Sequence, residues 1–249
     1  MRTTAPRTAR KQARSPTEAP AGGRVGLARE LLVDAALELM HDGGLDALST
    51  RRLAERLGVK SPALYWHVRS KDELLGLIAD AICAQMELPS ARLSFRVRLE
   101  KIAWEYRRVL TAYRDAPRLF GEQAPTGPHR MQLYDAAIGA FLDGGFETPE
   151  ALAMATFYRN YLLGMIAEEA RQSNPAQPGA LRSTLALGVE LSHLGSESRH
   201  YPHLHGAAQL LAKIEPEEIF RIGLKILLDG TDCRAREIAR AKKVVGRPL

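Results

Sequence analysis

The chain has 249 residues, of which 45% are hydrophobic and 26% are charged, the ordinary composition of a globular protein. Its formal net charge of +6 and its pI of about 9.5 favour an anionic partner without identifying one. Cys83 and Cys233 are too few for a disulfide framework, and no Cys or His spacing indicates a zinc site. No apolar run is long enough to cross a membrane, and no apolar stretch typical of a secretory signal follows the N-terminus. We therefore predict a cytoplasmic protein without a cofactor.

Residues 1–24 form a basic segment in which six Lys or Arg residues accompany a single acid, Glu18. Few large apolar side chains are present to offset the entropy cost of ordering the chain, so we predict a disordered arm. Two roles stay open for it. It is either a solvated tail or a flexible arm that adds phosphate contacts on DNA.

A domain over residues 25–87 is marked by apolar residues with the 3.6-residue period of helices. Its first helix is predicted to begin at Gly26 and to stop at Gly43-Gly44. A second, short helix is expected between a cap at Ser49 or Thr50 and the terminating Gly58.

Two more helices complete this domain. Ser61-Pro62 starts the third, because proline in the first turn of a helix sacrifices no hydrogen bond. This helix is expected to reach His67. Ser70 caps the fourth, whose first turn carries the acids Asp72 and Glu73.

The remainder of the chain is also helical in pattern. Apolar stripes predict helices over residues 95–113, 134–142, 149–168 and 216–229. Residues 172–207 are rich in Pro, Ser, Gly and His and are expected to form a long loop. Residues 231–249 are expected to form a basic tail, either solvated or in contact with DNA or with a bound ligand as a lid. Since no segment alternates with period two, the predicted fold class is all-α.

Residues 50–67 have the form of a helix-turn-helix motif, whose second helix enters the major groove of DNA. Val59 and Leu64 are expected to be buried between the two helices, and Trp66 to belong to the core. The positioning helix would span residues 50–57, the turn 58–60 and the reader helix 61–67.

Residues 48–75, LSTRRLAERLGVKSPALYWHVRSKDELL, closely resemble the DNA-binding domain of the TetR (tetracycline repressor) family, and the resemblance is strong over residues 27–87. Further along, YRDAPRLF, FLDGGF and YLLGMIAEEA are similar to the ligand-binding half of the tetracycline-repressor branch. The resemblance implies an N-terminal three-helix helix-turn-helix domain and a C-terminal helical bundle, residues 88–230, for ligand binding and dimerisation. It also implies a homodimeric repressor that binds a palindromic operator in double-stranded DNA and that a small molecule releases.

The resemblance further assigns roles on DNA to individual residues. Arg51 matches a base-reading arginine, whose guanidinium pairs with O6 and N7 of guanine, although an isolated arginine is more often a solvated surface group. The tip of the reader helix corresponds to Ser61, Pro62 and Ala63. Contacts to phosphate, with added charge from Lys60, correspond to Thr50, Tyr65, His67 and Lys71.

In the effector half, the resemblance and the helical spacing together suggest a set of pocket residues. The tetracycline repressor holds a magnesium–drug chelate through a histidine that follows a turn containing an Arg-Asp pair. In this sequence the pair lies within YRDAPRLF, and Phe120 stands at the position of the histidine. Phenylalanine offers magnesium no lone pair, so we predict no metal site and a small hydrophobic or aromatic effector. The His-rich stretch 193–205 has no compact metal-ligand spacing and is expected to be loop. The pocket set is Ile102, Tyr106, Phe120, Tyr134, Asn160, Tyr161, Met165 and Glu168.

Helices 149–168 and 216–229 carry more apolar surface than one bundle needs. With the family resemblance, this predicts a four-helix interface between two copies of the chain.

Other functional classes are disfavoured by the sequence. It contains no Ser/His/Asp set, no phosphate-binding glycine loop and no placed pair of carboxylates, so an enzyme is not expected. A protein that only coats DNA would not need the large apolar C-terminal half. An activator of the same family stays an open alternative to a repressor.

Overall fold

The structure, a computed structural model, describes residues 21–64, 66–113, 115–172, 200, 203 and 214–245. These ranges contain helices and no β-strand, which confirms the predicted all-α class. The helices are α1 (Ala21–Ala47), α2 (Thr50–Leu57), α3 (Ser61–Leu64), α4 (Lys71–Cys83), α5 (Phe95–Thr111), α6 (Ala116–Glu122), α7 (Pro128–Asp143), α8 (Thr148–Gln172) and α9 (Pro216–Val245).

The first two helices follow the predicted start and stop signals closely. α1 begins at Ala21, five residues before Gly26, and its regular part stops at Gly44, whose φ of 70° interrupts the helix. α2 is capped by Ser49, whose Oγ accepts a hydrogen bond from the Arg52 amide at 3.2 Å. Gly58 ends α2 in the left-handed conformation with φ of 66°, which costs a side-chain-free residue little.

The reader helix is shorter than predicted. α3 ends at Leu64, and the chain continues as a turn in which the His67 amide donates to the Leu64 carbonyl at 2.9 Å. Leu64 and Val68 face the core one helical turn apart, and Trp66, halfway between them, points outwards with 86% of its surface exposed. The predicted core position of Trp66 is therefore wrong. Val59 is also exposed rather than buried between the helices.

α4 is shared by the two halves of the molecule. It packs against α1 on one side and against α5, α6 and α7 on the other. Leu74 and Ile78 are buried along its length, and the buried apolar side chains of both halves form one continuous cluster. α4 therefore connects the C-terminal bundle to the helix-turn-helix.

α5, α7 and α8 form the centre of the C-terminal bundle. The apolar stripe predicted on α5, including Leu99, Ile102 and Tyr106, is buried. α8 includes the segment 149–168, for which we predict more apolar surface than one bundle needs, and only one of its faces is buried within the chain. Its opposite face exposes Leu152 and Phe157.

α9 continues well past its predicted end at residue 229 and includes most of the segment expected to be a solvated tail. Ala235 is buried and Ile238 half-buried, so the apolar stripe of Leu228 continues at helical spacing. Arg234 pairs with Glu150 on α8 at 2.7 Å, which ties the extension to the bundle. The many basic residues concealed this stripe in the sequence.

Several predictions fall on other parts of the chain. Residues 1–20 of the arm, nearly all of the 172–207 loop and residues 246–249 lie outside the described residues. None of the helices that the structure describes is both long and apolar enough to span a membrane.

Candidate functional site

The helix-turn-helix is held in place by its buried face and by ion pairs to α1. Leu53 of α2 and Leu64 of α3 are buried in the domain core. On the outside, Arg56 pairs with Glu38 at 2.8 Å and with Asp42 at 3.2 Å, both on α1. These contacts fix the orientation of α2, and hence of the turn and of α3, relative to α1.

The segment between the reader and α4 is fixed by one carboxylate. Glu73 accepts a hydrogen bond from the Arg69 amide at 2.7 Å and pairs with Arg29 of α1 at 2.6 Å. Its own amide donates to Ser70 Oγ at 3.0 Å, which confirms Ser70 as the α4 cap. The predicted first-turn acid therefore also positions the backbone after the reader.

The residues predicted to contact DNA all lie at or near the surface where the structure describes them. Arg51, Lys60, Pro62 and Lys71 are exposed, and Thr50, Ser61, Ala63 and His67 are half-buried. Tyr65 lies outside the described residues. Arg51 forms an ion pair with Glu55 one turn along α2 at 2.9 Å, with 86% and 60% of the two side chains exposed. So exposed a pair is weak and leaves the guanidinium free to exchange partners.

Cations without a carboxylate partner collect around this surface. Arg52, Lys60, Arg69 and Lys71 are exposed and form no ion pair with any residue that the structure describes. Such a cluster attracts the phosphate backbone. The sequence analysis did not include Arg52 in the candidate DNA-binding surface, because the family resemblance gives that position no role. It did not include Trp66, because a large aromatic residue is usually buried.

A cavity of about 30 Å³ lies between α5, α7 and α8, with room for one or two water molecules. Three of the predicted pocket residues, Ile102, Tyr106 and Tyr134, line it. Helical spacing alone could have indicated the other lining residues but could not separate them from ordinary core. They are Leu133, Ala137, Ala155, Tyr158, Arg159 and Leu162.

The structure does not bring the other predicted pocket residues to the wall of this cavity. Phe120 is buried behind Tyr106, with the ring centroids 5.9 Å apart. Asn160 is exposed, because it follows the lining residue Arg159 by about 100° around α8. Tyr161 faces α9, where its hydroxyl lies 3.5 Å from the Phe220 carbonyl.

Met165 and Glu168 lie further along α8. Met165 is half-buried against the core, and Glu168 is paired with Arg171 on its own helix. Both stay candidates for contact with a ligand larger than the present cavity.

Burial governs the ionisation of the cavity tyrosines. It raises the pKa of Tyr106 above its ordinary value, while the nearby cations Arg159 and Arg130 act in the opposite direction. The pKa of Tyr158 is also raised by burial, and its hydroxyl donates to the Leu99 carbonyl. Both phenols are therefore neutral donors at physiological pH.

The residues around Phe120 do not suit the magnesium–drug chelate of the tetracycline branch. Phe120 has no lone pair, and the guanidinium carbon of Arg130 lies 5.0 Å from its ring centroid. The positive charge of Arg130 at that place repels a second cation such as magnesium. The described residues also contain no group of three or more His, Cys, Asp or Glu side chains that could hold a metal ion.

A polar contact joins the cavity-lining helix α7 to α4. Asp80 of α4 accepts hydrogen bonds from the Arg130 amide and from His129 Nδ1, both at 2.9 Å. Gly127, just before α7, has φ of 103°, and a Cβ there would lie 2.5 Å from the Asp80 carboxyl group. The close approach of the α7 N-terminus to α4 therefore requires glycine at this position.

Each half of the chain matches a known protein family. Residues 32–78 match the family described as "Bacterial regulatory proteins, tetR family", and residues 88–234 match "Tetracyclin repressor-like, C-terminal domain". The tetracycline repressor protein class A from transposon 1721 of Escherichia coli is 33% identical over 202 residues, which are 80% of this chain and 88% of that protein.

Solved structures of similar proteins share the architecture. The Streptomyces coelicolor TetR family protein ActR, in complex with actinorhodin, superposes with a TM-score of 0.71 at 27% identity, over 83% of this chain and 97% of that one. TetR from Acinetobacter baumannii AYE gives a TM-score of 0.62 at 28% identity, over 82% and 96% of the two chains.

The C-terminal match alone spans more than half of the chain, and the described helices have the arrangement of these structures. The family consists of transcriptional regulators, as the sequence predicted, and not of enzymes. The chain belongs to the TetR family, in its tetracycline repressor-like branch, and is a ligand-responsive DNA-binding regulator.

Proposed function

We propose that the protein is a homodimeric repressor that binds a palindromic operator and leaves it when a small organic effector enters the C-terminal bundle. The observation that carries this proposal is the exposed surface of α2, α3 and the start of α4, where cations that have no ion pair with any described residue surround the reader. The class A tetracycline repressor, similar over most of both chains, supports repression rather than activation.

On this surface, Arg51 is proposed to contact a base, and Thr50, Tyr65, His67 and Lys71 to contact phosphate. Ser61, Pro62 and Ala63 form the tip that meets base edges, and Trp66 joins them as an exposed apolar contact for sugars or thymine methyl groups.

Selection of operator fragments from genomic double-stranded DNA with the purified chain, followed by fluorescence anisotropy, tests this assignment. Arg51→Ala and Glu55→Ala both remove the same exposed ion pair, but only the first removes the cation. We expect Arg51→Ala to weaken operator binding about tenfold or more, since a bidentate arginine–guanine contact supplies about 1–3 kcal/mol of discrimination. Glu55→Ala is expected to bind equally well or more tightly. Equal losses in both variants would contradict a base contact by Arg51.

A second copy of the chain is proposed to cover the exposed faces of α8 and α9. Leu152 and Phe157 on α8 and Ile222 and Ile226 on α9 are exposed in the single chain, Ile226 by 67%. Large apolar side chains on neighbouring helices are typical of a subunit interface. Asn160 is also exposed, so it belongs to this face of α8 rather than to the wall of the cavity.

Light scattering on Ile226→Glu tests the dimer, with Met131→Glu as the matched control, because Met131 is an equally apolar, exposed residue on α7. We expect Ile226→Glu to be monomeric and to lose operator affinity, and Met131→Glu to stay dimeric. A dimeric Ile226→Glu variant would place the interface elsewhere.

Release is proposed to start at the cavity between α5, α7 and α8 and to reach the reader through α4. Drug-sized ligands occupy about 300–1,000 Å³, so the present cavity has to enlarge to admit one. Two of the helices that would move, α5 and α7, pack directly on α4. A compound screen for loss of operator binding tests this step, and a releasing compound that still acts on a Leu133→Trp variant, with the cavity filled, would refute this route.

A further inference from the structure

Arg159 is an unusual side chain in the wall of the cavity. Its neighbours along the wall are mainly apolar, among them Ile102, Leu133 and Leu162. Its Nε is buried without a hydrogen-bond partner, and its only hydrogen bond in the described part of the chain is a long one, 3.4 Å from Nη1 to the Phe120 carbonyl. It forms no ion pair with any described residue. Arg159 is half-buried, and a guanidinium nitrogen that is buried without a partner costs the folded state free energy.

Other buried or half-buried arginines of the bundle form ion pairs or short hydrogen bonds with described residues, although the Nε of Arg98 is also buried without a partner. Arg98 pairs with Asp143 at 2.6 Å, and Arg107 pairs with Glu169 at 2.7 Å. Arg130 donates to the Ala124 and Gln123 carbonyls at 2.6 and 3.0 Å. The contrast indicates that Arg159 is not needed to tie helices together, and that its charge is directed at something outside the fold.

Two phenols add donors next to this charge. Tyr106 and Tyr134 line the same cavity, and their hydroxyls form no hydrogen bond with any described residue. The guanidinium carbon of Arg159 lies 5.9 Å from the Tyr134 ring centroid. A guanidinium and two phenols offer several donors, while no carboxylate lines the cavity wall.

We propose that the effector is an aromatic or polycyclic carboxylic acid, bound as its anion, whose carboxylate pairs with Arg159 and whose apolar body occupies the enlarged cavity. The inference rests on the proposed function only in taking this cavity as the effector site. Guanidinium recognises carboxylate through two parallel hydrogen bonds, and a water-excluding wall strengthens the contact. Arg159 is thus the residue that selects acids over neutral molecules of the same shape.

Isothermal titration calorimetry on the full chain with 2-naphthoate and 2-naphthamide tests the proposal, because the two probes share one ring system and differ in charge. We expect 2-naphthoate to bind at least about tenfold more tightly than the amide, and Arg159→Met to remove that preference. The measurement needs no DNA. A chain that binds the acid but no operator would refute only the proposed function, and a chain that prefers the amide would refute only this inference.

Thermal unfolding without ligand gives a second, independent result, with Arg130→Met as the matched control. Loss of the two carbonyl contacts of Arg130 is expected to lower the Tm by about 4 °C or more. Arg159→Met is expected to unfold at the wild-type temperature or above, because it removes a half-buried charge that has no ion-pair partner among the described residues. A Tm lowered as far as in Arg130→Met would show that Arg159 is structural and would overturn the proposal. Failure of the wild-type chain to bind 2-naphthoate more tightly than 2-naphthamide would overturn it as well, whatever the Tm.

Discussion

Replacement of Asp80 by alanine should destabilise the protein through one buried amide. The Asp80 carboxylate accepts from the buried Arg130 amide and from the half-exposed His129 ring, both at 2.9 Å. Removing the acceptor leaves the amide unsatisfied at a cost of about 1–3 kcal/mol, and the exposed ring contributes less. We expect Asp80→Ala to lose about 2–3 kcal/mol in total, or about 4–10 °C in Tm for a chain of this size.

Asp80→Asn separates the hydrogen bond from the charge. Its side-chain oxygen can still accept from the Arg130 amide, so a loss of only about 1 kcal/mol is expected. Asp34→Ala, which removes an exposed carboxylate on α1, serves as the control and should stay within about 0.5 kcal/mol of wild type.

Denaturation by urea, followed by circular dichroism at one fixed chain concentration, measures these differences, since the stability of a dimer depends on concentration. The ordering expected is Asp34→Ala above Asp80→Asn above Asp80→Ala. Equal stability of the two Asp80 variants would refute the role given to the buried amide.

Three further variants test neighbouring parts of the structure. Trp66→Ala should leave the free energy of unfolding within about 0.5 kcal/mol of wild type, because the side chain is exposed. It should weaken operator binding about tenfold in anisotropy titrations. If Trp66 were a core residue, the substitution would instead lower the free energy of unfolding by about 3–5 kcal/mol. Gly127→Ala should lower the Tm by several degrees in calorimetry, because φ of 103° and the contact with Asp80 both exclude a Cβ. Burial raises the pKa of Cys83 to about 12, so the folded state holds this proton more tightly than the unfolded chain does. Stability is therefore retained below about pH 8.5 and falls by about 1–2 kcal/mol towards pH 10, a loss that urea titrations of Cys83→Ala should not show.

Local chemistry explains which elements the sequence could predict. Ser49, Gly58 and Ser70 cap or end their helices by hydrogen bonds and backbone angles set within four residues, and each has the predicted role. The stripe on α5 is likewise a local periodicity that burial follows. Such signals require no knowledge of the distant parts of the chain.

Features that depend on distant neighbours could not be predicted in this way. Trp66 is a large aromatic residue, a type that is usually buried, but it lies halfway between the core residues Leu64 and Val68 and therefore faces outwards. Arg159 and Asn160 are adjacent in sequence, and only the packing of α8 on α5 and α7 decides which of them faces the cavity. The acid-selective arginine therefore had no signal of its own in the sequence, since an arginine on a helix is usually solvated.

The small size of the empty cavity bears on how such a regulator switches. A ligand shifts an equilibrium between two states only by its difference in affinity for them. A cavity of about 30 Å³ is too small for a drug-sized molecule, so in the proposed mechanism an effector binds only the state in which α5, α7 and α8 have moved apart. Because α5 and α7 pack on α4, and α4 follows the reader directly, the proposed expansion would reach the reader through α4. An anion paired with Arg159 would add to this bias, since the Nε of Arg159 is buried without a partner in the empty state.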